Sequence, residues 1–218
     1  MTTKPPQTLT SPTEAAIVVA IAFGWFILAS LQAVAQGFPG SGSFSDASLL
    51  SLLMLEGVFG ALALAFLHRR GHALQELLPT PTVAGCLVGA ALCGGATLAW
   101  YIVAQAFPAS QHQAQPIAEI LGHARPSQAV AIALAMFNGL YEETFLLGYL
   151  VRSFAAAGAS LALGLSLLVR VLYHLYQGPL GTVSVLVFGL VLSAYYWRTR
   201  RLWPAVFAHT LADALALA

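Results

Sequence analysis

A chain of 218 residues that is 59% hydrophobic and only 8% charged departs from soluble domains, where about 25% of residues carry charge. A net charge of +1 and the lack of a long basic run exclude an electrostatic nucleic-acid binder. The class that fits is an all-α, polytopic membrane protein, because each span needs about 20 predominantly apolar residues.

In chain order, residues 1–13 are polar and read as a disordered tail. Apolar stretches bounded by Pro, Gly and Arg then predict seven spans, at 14–36, 46–67, 82–107, 127–152, 158–177, 180–197 and 203–217, in one integral membrane domain over 14–218. The sequence AVAQ at 33–36 resembles a signal-peptidase site, but the apolar stretch before it is long and Lys4 is the only early cation. A retained first span is therefore expected. On the third span, Gly85 and Gly89 form a small-xxx-small pattern that predicts a close helix contact. Cys86 and Cys93 share that helix about 10 Å apart, too far for a disulfide. The longest connection, 108–126, is polar with prolines at both ends and is expected to hold a short surface helix. The last span opens with Trp203 and Pro204, where proline suits a first helical turn.

Orientation follows from the cations. With a cytoplasmic N-terminus the inner side collects Lys4, Arg69, Arg70, Arg152, Arg198, Arg200 and Arg201, and the outer side only Arg125. That bias predicts a multi-pass protein with its N-terminus in the cytoplasm, and a bacterial cell membrane is the expected location.

The polar residues left at bilayer depth are Glu56, Glu142, Glu143, Arg170, His174, His209 and Asp213. Ionisable groups there are costly and point to function. Glu56 stands alone on its span and reads as structural. The others cluster on later spans. His209 and Asp213 are four apart and share a helix face, as do Arg170 and His174. Glu142 and Glu143 are adjacent, so they point about 100° apart and are expected to hold separate roles. No HExxH motif, no GxSxG elbow and no lysine within a span is present, which removes the zincin and serine-nucleophile mechanisms. What remains is a carboxylate that takes a proton from water while imidazoles hold the water or the oxyanion. The same side chains could instead hold a divalent metal with an open position, Zn2+ being the candidate ion and Glu142, His174 and His209 its candidate ligands.

The stretches EETFLLGYL, RVLYHLYQG and LWPAVFAHTLAD resemble, in order, the EExxxR, FxxxH and HxxxN/D motifs of the CPBP (Abi) intramembrane proteases. This family includes the type II CAAX prenyl endopeptidases. The resemblance covers about 125–218 and implies a four-helix catalytic core in the C-terminal half. It implies Glu142 as the general base on the attacking water, His174 as its holder, and His209 with Asp213 at the oxyanion. It leaves both metal-dependent and metal-free mechanisms open, and implies a membrane-associated protein or peptide substrate. Two letters depart from the pattern: the motif arginine is Leu147, and the phenylalanine before the second-motif histidine is Arg170. An arginine at 147 would pair with Glu143 along one helix face. Arg170, on the facing helix at similar depth, is expected to supply that charge, because an unpaired buried carboxylate is expensive. Two rival readings are a non-catalytic membrane partner or immunity-type protein of the same family, and a proton-coupled transporter. Counted from the cytoplasmic ends, Glu142 and His209 lie about 10 to 15 Å deep and His174 about 25 Å. Cleavage is expected near the cytoplasmic face.

Overall fold

The computed structural model describes residues 11–38, 44–108 and 115–217. Its elements are α1 (Pro12–Ala35), α2 (Asp46–Arg69), a 3-10 turn (Leu74–Glu76), α3 (Val83–Ala104), the short α4 (Pro116–Gly122), α5 (Gln128–Glu143), a π-helical segment (Thr144–Val151), α6 (Ala159–His174), α7 (Gly178–Thr199) and α8 (Trp203–Leu217). No strand occurs among the described residues. The chain is an all-α, polytopic membrane protein.

Polar caps set where several helices begin. The Ser11 hydroxyl accepts the Glu14 N–H at 3.1 Å and Pro12 fills the first turn, so α1 starts inside the stretch expected to be tail. The rest of that expected tail, residues 1–10, lies outside the described residues. Ser45 and Ser48 form a reciprocal capping box on α2, and Thr82 accepts from Gly85 N–H at 3.0 Å on α3. Each satisfies orphan donors at the membrane boundary.

Five helical stretches are long and apolar enough to cross a membrane, the last being Ala159–Thr199. That last stretch contains two of the expected spans. Its rod is interrupted at Leu175–Gln177, and Gly178 takes φ +83°, which glycine adopts without steric cost. There the chain reverses and α7 packs back on α6. The final expected span is α8, with 15 residues. The short helix expected between 108 and 126 is α4.

Packing runs around the bundle from α1 to α2, α2 to α5, α5 to α8, α8 to α3, α3 to α7, α7 to α6 and α6 to α1. The α3–α8 contact is close because of Gly89, where a Cβ would stand 2.7 Å from the Pro204 carbonyl oxygen. The small-xxx-small pattern thus has α8 as its partner. Gly139 does the same between α5 and α8, where a Cβ would meet Thr210 N at 2.9 Å. On α1 to α3 large apolar residues such as Trp25, Met54 and Leu87 face outward, as lipid-facing helices require. Every residue of 141–151 is buried, so the end of α5 and the π segment form the centre of the bundle. Cys86 and Cys93 are both free.

Candidate active site

The last turn of α5 carries Glu142 and Glu143 into the interior, with exposures of 4% and 0%. Directly after them the backbone changes from α to π winding for eight residues. A π segment is rare and concentrates at functional sites, because its i→i+5 bonds re-aim the side chains around it. Nothing in the apolar run TFLLGYLV announces it.

From α6, Arg170 enters between the two acids. Its Nη2 donates to both oxygens of Glu143, at 2.7 and 2.9 Å, and its Nη1 to Glu142 Oε2 at 3.3 Å. The guanidinium is 1% exposed and reaches the acids past Gly189, where a Cβ would lie 2.6 Å from Arg170 Cδ. Leu147 sits in an apolar cluster with Val151, Ala162 and Leu192. The Tyr173 hydroxyl, one helical turn after Arg170, donates to Glu142 Oε2.

From α8, His209 Nδ1–H donates to Glu143 Oε1 at 2.7 Å. That bond turns Nε2 toward Glu142 Oε2 at 3.7 Å and Asp213 Oδ2 at 3.6 Å. Such gaps are the ones to ask a bridging water of. Asp213 is held by Asn138 Nδ2 at 2.7 Å, and the Phe188 ring packs edge-on to His209 with centroids 5.5 Å apart. His174 ends α6, and its Nδ1–H donates to the Arg170 carbonyl at 2.9 Å. This leaves Nε2 as an acceptor. A cavity of about 460 Å³ is lined by Arg170, His174, His209, Asp213 and Asn138 together with apolar side chains.

Three sequence expectations change here. Glu142 and Glu143 were expected to face apart, yet both meet Arg170 and His209. A flat guanidinium and a two-nitrogen ring straddle the angle between adjacent positions, and long carboxylate side chains close the remainder. His174 was expected in any metal ligand set. The donor atoms within 4.8 Å of one another instead belong to Glu142, Glu143 and His209, because His174 lies at the far end of its helix. The depth mismatch has the same origin: His174 lines the cavity wall toward the opposite membrane face, above the acids. Glu56, the lone acid of its span, is 3% exposed, has no partner for Oε2, and lies within electrostatic reach of Glu142, His209 and Asp213 from other helices.

Two carboxylates and an imidazole could hold a metal by donor type and distance. As arranged, however, both oxygens of Glu143 are already engaged by the guanidinium and one of them also by His209 Nδ1–H. A cation placed there would have to displace or oppose Arg170, so the arrangement fits a metal poorly.

Sequence reasoning missed Tyr173, Asn138 and Phe188. Asn138 lies four before Glu142 and Tyr173 three after Arg170, so helical spacing carried a signal for both. Phe188, on another helix, carried none.

Residues 125–215 match the family model described as Type II CAAX prenyl endopeptidase Rce1-like. No curated protein and no solved structure matches the chain. The matched stretch contains Glu142, Glu143, Arg170, Tyr173, His174, His209 and Asp213, while α1 to α3 precede it. From α5 to α8 the chain is therefore similar to the type II CAAX prenyl endopeptidases, in keeping with its three CPBP-type motifs.

Proposed function

We propose that the protein is an intramembrane endopeptidase that hydrolyses peptide bonds of membrane-associated proteins or peptides with a water activated by Glu142. The observation that carries this is the unequal fate of the two acids. Glu143 is saturated by Arg170 and His209. Glu142 retains 4% exposure and stands across a water-sized gap from His209 Nε2.

In this reading a water sits between Glu142, His209 and Asp213. Glu142 takes its proton as the hydroxide attacks the scissile carbonyl carbon. The carbonyl oxygen becomes an oxyanion and accepts from Nε2–H of the His209 imidazolium, whose ring is fixed through Nδ1–H by Glu143. As the C–N bond breaks, Glu142 returns the proton to the leaving amine. His174 Nε2, an acceptor on the cavity wall above the acids, takes a hydrogen bond from water on its way to that position. Glu143, Arg170, Tyr173 and Asn138 are positioning residues. Arg170 supplies the local positive charge, so the reaction is read as metal-free. Activity that survives chelation, with no stoichiometric zinc in the purified protein, is the expected result.

The test compares membrane proteomes of cells carrying wild type and Glu142→Gln. Uncut substrate is expected to accumulate with the variant. No difference at equal expression would sink the peptidase reading in favour of a non-catalytic relative. The presence of a guanidinium on Glu143, in place of the missing motif arginine, speaks against that alternative.

A further inference from the structure

One end of the bundle gathers Arg69, Arg70, Arg152, Arg198, Arg200 and Arg201, all at helix ends or in the links that follow them. A cleft of about 870 Å³ opens at this arginine end, and it shares no lining residue with the cavity beside Glu142. Two cross-links build its walls. Arg152 Nη1 donates to the Glu76 carbonyl at 2.7 Å and Nη2 pairs with the Glu76 carboxylate, which ties the link after α2 to the end of the π segment. Trp203 Nε1 donates to the Thr82 carbonyl at 3.2 Å, and its ring packs on Gly85, where a Cβ would stand 2.5 Å from Trp203 Cδ1. The start of α8 is thereby braced against the start of α3.

The first brace uses up the charges of Arg152 and Glu76. It leaves Arg200 and Arg201, both lining the cleft and exposed, with no carboxylate in ion-pair distance among the described residues. Arg200 caps α7 at φ +55°, a left-handed conformation that glycine usually supplies at a helix end. What arginine adds there is a guanidinium, stacked over the Trp197 ring at 4.7 Å and the Tyr196 ring at 5.8 Å. Stacking occupies a face of the group and leaves edge N–H donors for an acceptor. The α2–α3 link and α3 contribute a different lining, Leu78 and Val88, which are 49% and 38% exposed, beside Thr80.

Two unpaired guanidinium groups and an apolar wall in one concavity suit an amphipathic anion. Guanidinium forks match phosphate oxygens in a bidentate way, and basic pockets at helix ends hold lipid head groups. We propose that the cleft at the arginine end binds a phosphate-bearing anion, and that its source is one anionic glycerophospholipid. The phosphate sits on Arg200 and Arg201, and an acyl chain runs along Leu78 and Val88. This inference stands apart from the peptidase reading, because the cleft and the catalytic cavity have separate linings.

The test is thermal unfolding of the purified full chain in a neutral detergent. Dioctanoyl phosphatidylglycerol is titrated in, with dioctanoyl phosphatidylcholine and inorganic phosphate as parallel arms. The expected result is a saturable rise in Tm with phosphatidylglycerol, about 3–6 °C at about ten times the apparent Kd, and no such rise in either other arm. An equal rise with phosphatidylcholine overturns the anion site, and an equal rise with inorganic phosphate overturns the lipid as its source. Arg200→Gln is expected to weaken the apparent Kd roughly tenfold. Arg198→Gln, an exposed arginine outside the cleft lining, is expected to keep the wild-type titration. Equal losses in the two variants would mean general surface charge and overturn the proposal. Thr80→Glu, on the exposed link, keeps every arginine and places a carboxylate in the cleft. It is expected to abolish the rise, and an unchanged titration in this variant overturns the site even if Arg200→Gln folds poorly. Because no arm reads cleavage, failure here leaves the Glu142→Gln proteome comparison untouched.

Discussion

The two ends of this bundle are built by opposite rules. At the arginine end the helices close on each other, and the cleft there, of about 870 Å³, is lined by Arg152, Arg200, Arg201, Tyr195, Tyr196 and Trp203. Arg200 stacks over the Trp197 ring at 4.7 Å. Arginines and interfacial aromatics at one depth are how a bundle is anchored at a headgroup layer. In the cavity the ionisable groups Arg170, His209 and Asp213 are withdrawn from the surface and pair with Glu142, Glu143 and Asn138. Charge at the first end meets solvent. Charge in the cavity is desolvated, and removing one member leaves its partners exposed to the full cost of burial.

That contrast sets the order of expected effects. Glu142→Gln is expected to give the largest loss, on the order of 10²- to 10⁴-fold in peptide cleavage, as removal of a general base does. Thermal stability should be retained, and a variant that is inactive only because it unfolds would weaken the assignment. Arg170→Leu comes next. It leaves two buried carboxylates without their cation and is expected to cost about 3–5 kcal/mol, seen as a lowered Tm together with inactivity. Adding Leu147→Arg is expected to recover part of both, and no recovery would count against a charge that moved between helices. Gly139→Ala forces a methyl against Thr210 and is expected to cost about 1–3 kcal/mol. Because it pushes α8 from α5, cleavage should fall more than stability does.

Tyr173→Phe removes one hydrogen bond to Glu142, a change of about 1 kcal/mol. It should lower kcat while leaving KM and the fold nearly unchanged. Arg201→Ala, at the arginine end, is the smallest, within about 0.5 kcal/mol of wild type. A large catalytic effect there would break the division between the two ends.

Much of this was readable from the letters, for identifiable reasons. Apolar run lengths give the helices because a membrane leaves the backbone no other solution. The three motifs give the candidate residues because each lies within one helix, where spacing and facing are locked together. What was hidden depends on how one helix faces another. The angle between Glu142 and Glu143 says nothing of a guanidinium arriving from α6 to span it. The π winding after Glu143 has no compositional mark, and Phe188 reaches His209 from a helix with no motif. Glu56 looked solitary because its neighbours come from α5 and α8, far away in sequence.

Gly189 carries a consequence for which residues can occur together in such a chain. Arg170 fits only because α7 offers no side chain at that point, so a charge hosted on α6 depends on an empty position on α7. A chain with an arginine at 147 would need neither Arg170 nor a glycine at 189. Relatives are expected to divide into two groups, those with Arg at 147 and a free choice at 189, and those with Leu147, Arg170 and Gly189 inherited together.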